Sequence, residues 1–181
     1  MKKTILFFSL IVLAGGAMAQ KVTTTSAVVG FDATTPKDAL PKAENKTAIA
    51  SLDKTTGAIM FEAAVNNFSF SNPKMQEHFN SANWMNSAQF PKFTFSGKID
   101  KLSKVKFKKN GSYDVTVSGN LIIKGISKPV SAKAKVTVTG TAVSAVSTFS
   151  IKLADYSITG QPVEAGKVAT EPKVTISVSF L

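Results

Sequence analysis

The sequence contains no cysteine and no arginine, and it holds only one histidine, one tryptophan and two tyrosines. Each shortage excludes something. Without cysteine there is no disulfide scaffold and no thiolate zinc site, so the chain must be held by packing and hydrogen bonds. Without arginine every one of the 22 cations is a lysine. Bidentate reading of phosphate or guanine relies on the arginine fork, which argues against sequence-specific nucleic-acid binding. The formal charge is +11. Setting aside Lys2 and Lys3 leaves 20 lysines against 11 acidic residues, or +9. Such a surface associates weakly with anionic surfaces.

The single histidine, His78, limits catalysis in the same way. A Ser-His-acid site would have to use it, and no Gly-x-Ser-x-Gly elbow accompanies it. A zinc site would need scattered carboxylates around one imidazole. Glu62, Glu77, Asp114, Asp155, Glu164 and Glu171 form no acid–base pair in the sequence, and the glycines are isolated turn residues rather than a phosphate loop. The expectation is a protein that is not an enzyme, with no catalytic residues, no metal and no cofactor.

Long apolar runs are also scarce. The first twenty residues, MKKTILFFSLIVLAGGAMAQ, place Lys2 and Lys3 before an apolar stretch from Ile5 to Leu13 and then Ala17-Met18-Ala19. That order is a secretory signal peptide over residues 1–19, cleaved after Ala19. The stretch is shorter than the roughly 20 residues of a membrane span. Residues 20–181 then form one exported domain, long enough to bury a sizeable core.

What the sequence has in abundance is two-residue alternation, the mark of strands with one dry face. It runs through Val22–Ala33, Thr47–Leu52, Ile59–Val65, Phe93–Ile99, Tyr113–Ile123, Val130–Val138, Phe149–Leu153 and Val174–Phe180. Residues 36–45, with two prolines, read as a loop. The phase slips at Asn66-Asn67, which predicts a β-bulge. Val105 and Phe107 lead to an Asn110-Gly111 hairpin signal, and Gly125 to Pro129 reads as a turn. The one helical signal is Pro73 to about Asn80, with Asn72 as N-cap and Met75 and Phe79 on one face.

These patterns predict an all-β fold: about eight antiparallel strands and one short helix, closed as a barrel or stacked as a sandwich. Pattern alone does not separate the two. An outer-membrane barrel fits poorly. Two tyrosines and one tryptophan cannot build two aromatic girdles, and the lysine-bearing faces would have to fill the lumen.

The stretches "MQEHFNSANWMNSAQFPKFTFSGKI" and "YDVTVSGNLIIKGISKPVSAKAKV" resemble the YceI-like family of exported lipid-binding proteins. The resemblance rests on His78-Phe79, on Phe90-Pro91 leading to Phe95-Ser96-Gly97, and on the run from Gly119 to Val130 that ends Lys128-Pro129-Val130. The first strand departs from the commoner form of the family, which carries a histidine there. The resemblance implies a lipocalin-like antiparallel barrel that holds a long-chain lipid or isoprenoid in the periplasm, and no enzymatic activity. It implies an apolar lining of Phe61, Phe93, Phe95, Val115, Val117, Leu121, Ile123, Val136, Phe149 and Ile151. An anionic head group would meet rim lysines such as Lys124 or Lys128. The other reading is a structural or interaction barrel filled by its own side chains. The oligomeric state stays open, with a dimer compatible.

Overall fold

The strand Gly111–Ile123 shows how the sequence becomes a wall. Tyr113, Val115, Val117, Leu121 and Ile123 point one way, while Asp114, Thr116, Ser118 and Asn120 point the other. Burying the first set leaves the second in water, and a one-residue slip would reverse both, so the register is strongly specified. The structure is a computed structural model that describes residues 21–181. The expected signal peptide and its cleavage site lie outside the described residues.

Among the described residues nine strands form one sheet: β1 Lys21–Asp32, β2 Lys42–Asp53, β3 Ala58–Ala64, β4 Ser69–Phe70, β5 Lys92–Ile99, β6 Gly111–Ile123, β7 Ile126–Thr139, β8 Ala142–Ser150 and β9 Lys173–Phe180. Every pairing is antiparallel. β1 pairs with both β2 and β9, which closes β1-β2-β3-β5-β6-β7-β8-β9 into an eight-stranded lipocalin-like barrel. β4 is a ninth, short strand attached to the start of β2. Closure settles the question the pattern left open, because a sandwich would leave β1 with a free edge.

Several local expectations are corrected. The phase slip at Asn66-Asn67 is not a bulge. It is a 3₁₀ turn over Val65–Asn67 that ends β3 and carries Ser69 and Phe70 across to Glu44 and Ala43. The bulges lie instead in β1 and β2, where the register shifts after Thr24 and again after Ala27. They displace Thr25-Ser26 on one strand and Lys46-Thr47 on the other, bending the wall. Asn45 fills the second: fully buried, its Oδ1 accepts from the Thr47 N–H at 2.8 Å and its Nδ2 donates to the Ala64 carbonyl at 2.9 Å. Residues 42–45 therefore belong to β2, not to the preceding loop.

The Asn110-Gly111 signal does not make a tight hairpin, and Val105 and Phe107 are not strand residues. Chain from Asp100 to Asn110 joins β5 to β6 through a 3₁₀ turn at Leu102–Lys104. The Asn110 side chain accepts from the Gly140 N–H at 2.8 Å and so stitches this connection to the β7–β8 hairpin. The tight turn is at Lys124-Gly125, where both residues have positive φ, 50° and 75°, as two-residue hairpins of this kind require. Pro129 lies inside β7, opposite Asn120. It is tolerated because that half of β7 has no partner on its other side. The alternation at Phe149–Leu153 breaks at Ser150, and Leu153 opens a 3₁₀ turn, Leu153–Tyr156.

The two ends of the barrel differ. One carries the short β2–β3 and β7–β8 turns and is packed shut by Leu52, Ile99, Val105, Val138, Val143 and Phe180, all buried. The other carries the long connections 65–91 and 151–172. The first holds α1, Pro73–Asn80, as expected, with the Asn72 side chain accepting from the Lys74 N–H at 2.9 Å. The second holds the Leu153–Tyr156 turn and a single-turn helix α2, Gln161–Glu164. No described helix is long and apolar enough to cross a membrane.

Candidate functional site

The dry faces of the strands enclose a void of about 180 Å³. Its wall runs from Ile99, Val143 and Phe180 at the shut end to Phe79, Met85, Leu153 and Ile158 at the capped end. Eight phenylalanines border it: Phe31, Phe61, Phe68, Phe79, Phe93, Phe95, Phe149 and Phe180. Among the described residues Thr94 and Ser147 are the only wall residues with polar side-chain N or O atoms, and none of the wall residues is titratable. A wall of this kind offers apolar contact and excludes water.

Nine of the ten residues expected in an apolar lining border the void: Phe61, Phe93, Phe95, Val117, Leu121, Ile123, Val136, Phe149 and Ile151. Val115 shares their face of β6 and is buried, but it does not border the void. The structure adds residues that alternation cannot reveal. Phe79 and Met85 come from the α1 connection, and Leu153 and Ile158 from the β8–β9 connection. They form the cap. Phe79 is its centre, with ring centroids 5.0 Å from Phe70, 5.9 Å from Phe68 and 6.3 Å from Phe31. The i, i+4 pair Met75/Phe79 was the only sequence signal for this cap. Beside it, burial of Tyr156 pushes its phenol pKa up, with Asp155 adding to the rise, so the ring stays neutral at physiological pH.

One feature keeps the void open. Gly97 and Gly119 face each other across β5 and β6, on the inward side. A Cβ on Gly119 would lie 2.7 Å from Phe95 Cζ and would also strike the Ser96 carbonyl and Gly97 Cα. One on Gly97 would lie 2.9 Å from Gly119 Cα and would strike the same Phe95 ring tip. The ring of Phe95 therefore lies along the wall over two bare glycines, rather than across the lumen.

His78 is exposed on α1, away from the wall. Trp84 is partly buried and packs against the core at the rim. His78→Gln should change stability by no more than about 0.5 kcal/mol and leave uptake of an apolar dye unchanged. Thermal melts and dye titration of the variant check this. A lost activity at an unchanged melting temperature would return His78 to consideration as a functional group.

The outward faces are mostly polar, with Ile49, Met60, Ile122 and Val146 exposed among them. On β7 they present Ser127, Ser131, Lys133 and Lys135, a set that would be costly against lipid chains.

No curated protein matches the chain by sequence. Solved structures that share its fold include the following three. A polyisoprenoid-binding domain from Saccharophagus degradans, implicated in plant cell wall breakdown, superposes with a TM-score of 0.75 at 14% identity, covering 90% of this chain and 98% of that one. BcnA of Burkholderia cenocepacia gives 0.69 at 19% identity, covering 84% and 95%. The YceI protein of Campylobacter jejuni gives 0.56 at 16% identity, covering 74% and 78%. At such identities the likeness is one of fold. The sequence itself matches the YceI-like domain over residues 17–180, and the chain belongs to the YceI-like family.

Proposed function

We propose that this protein is an exported, periplasmic carrier that holds an elongated apolar molecule, an isoprenoid or fatty-acyl chain, inside its barrel and performs no chemistry on it. The observation that carries the reading is the nearly all-apolar wall around an open void, which nine of the ten expected lining residues border. One structural neighbour is itself described as polyisoprenoid-binding. Export rests on the signal-peptide pattern of residues 1–19.

The energetics suit a chain. Each CH₂ withdrawn from water contributes about 0.8 kcal/mol, so a long chain binds without a polar anchor. The void of about 180 Å³ is close to the roughly 150 Å³ of a cavity that accepts benzene. It is smaller than the roughly 300–1,000 Å³ common for larger ligands. A long chain therefore enlarges the lumen by turning aside rings such as Phe61, Phe93 and Phe149, each of them only partly buried.

Native mass spectrometry of protein purified from its own host should show a co-purified lipid. Filling the lumen should then block it. Ala145 borders the void between Val136 and Val178. Ala145→Phe should displace two or more methylenes and weaken binding of an apolar probe by about tenfold or more, with a native-like circular dichroism spectrum. No co-purified lipid, and no probe binding by the unmodified protein, would favour a barrel filled by its own side chains.

A further inference from the structure

The wall of the lumen is discontinuous in one place. β7 and β8 are paired from Thr139 and Ala142 down to Ala134 and Ser147. Beyond that point residues 126–133 of β7 pair only with β6, and residues 148–150 of β8 pair only with β9. Where the strands part, the Ser147 hydroxyl donates to the Lys133 carbonyl at 2.7 Å. Further on, the 3₁₀ turn Leu153–Tyr156 packs against β7 and buries Leu153 and Tyr156. A window lies between. Ala132 on β7 and Phe149 on β8, one on each lip, both border the void. So does Val146, whose side chain points outward and is 51% exposed. The void reaches the surface here.

An open groove of about 640 Å³ lies on the outer side of the same seam. Ala134, Val146 and Ser147 belong to both the groove and the lumen wall. The groove gathers Lys101, Lys104, Lys133 and Lys135 against Asp100 and Asp114, four cations less two anions, or +2. Lys135 is paired with Asp114 at 2.9 Å, and Asp100 accepts from the Ser118 hydroxyl at 2.8 Å. Among the described residues Lys101, Lys104 and Lys133 make no ion pair.

We infer that the β7–β8 seam is the site where an acidic amphiphile sits astride the wall, its apolar chain in the lumen and its anionic head, a phosphate or carboxylate, against Lys101, Lys104 and Lys133. The inference rests on the carrier reading and adds the chemical class of the ligand. A charge drawn into the lumen would meet no partner, which is prohibitive. The head must therefore stay where the apolar wall opens onto water, and at this opening it finds unpaired ammonium groups. Lys124 and Lys128, the rim lysines expected from sequence, border neither the lumen nor the groove.

Titration calorimetry at low salt tests this with three probes on the mature protein: decyl phosphate, decanol and inorganic phosphate. Lys104→Gln/Lys133→Gln should weaken decyl phosphate by about tenfold and leave decanol unchanged, as two lysines near an anionic group imply. About 1 M salt, where the Debye length is about 3 Å, should reproduce the loss in the unmodified protein. Lys124→Gln/Lys128→Gln should change neither. Inorganic phosphate alone should not bind measurably. Equal weakening of decanol, no weakening of decyl phosphate, or a loss in the Lys124/Lys128 variant instead, would each overturn the head-group site while leaving the carrier reading intact. Inorganic phosphate binding as tightly as decyl phosphate would overturn it too, as a free-anion site. Failure of both decyl compounds to bind would overturn the carrier reading itself, and the head-group site with it.

Discussion

Phe79→Ala should lower stability by about 3–5 kcal/mol, the usual cost of deleting a buried phenylalanine. The reason for expecting the full cost is local. Phe79 is 6% exposed and touches three other rings, Phe31, Phe68 and Phe70. Aromatic pairs of this kind add to area burial. Inward sliding of the helix is opposed by two hydrogen bonds that tie α1 to its surroundings: the Phe70 N–H of β4 donates to the Gln76 side chain at 3.2 Å, and the Met85 N–H donates to the Phe79 carbonyl at 3.1 Å. For a domain of this size each kcal/mol corresponds to roughly 2–4 °C, so the melting temperature should fall by about 6–20 °C. The measurement should use lipid-stripped protein, because bound ligand raises apparent stability by mass action. A fall of only a degree or two would show that the cap contributes little to the fold.

Gly119→Val should cost about 3 kcal/mol, the upper end of what overpacking usually costs. Two of the atoms its Cβ would strike, the Ser96 carbonyl oxygen and Gly97 Cα, belong to the neighbouring strand's backbone. They cannot move aside without separating β5 from β6. The third contact, Phe95 Cζ, can move, and only inward. The variant should therefore be less stable and also have a smaller lumen, with weaker binding of an apolar probe. Chemical denaturation and probe titration measure the two effects separately. Unchanged stability would mean that the sheet accommodates a branched side chain here, and that the glycine pair does not hold the ring of Phe95 against the wall.

Most of the wall was legible in the sequence. Alternation within Phe93–Ile99 and Tyr113–Ile123 assigned each residue to a dry or wet face, because the side-chain period of a strand is fixed at two. Capping and i, i+4 spacing placed α1 within Pro73–Asn80, since both are local interactions. The lysine-rich character of the surface follows from composition.

What only the tertiary structure decided is everything that depends on which strands meet. The same alternation serves a sandwich or a barrel, and the pairing of β1 with both β2 and β9 chose the barrel. Asn45 reads as a loop residue in sequence. Its burial follows from a bulge whose hydrogen bonds it supplies, and a bulge is a relation between two strands. The phase slip at Asn66-Asn67 is the same in sequence whether it marks a bulge or a 3₁₀ turn; the free start of β2 drew β4 away. Lys124 and Lys128 stand out in sequence beside a conspicuous turn, while Lys104 and Lys133 lie 29 residues apart along the chain. They line one groove because the β5–β6 connection starts against the outer side of β6, where Asp100 bonds to Thr116 and Ser118, and β6 lies beside β7. Whether Phe95 fills the lumen or lines it was set by Gly97 and Gly119 coming opposite each other across two strands. Periodicity fixes which way a side chain points, and only the closed barrel fixes what it meets.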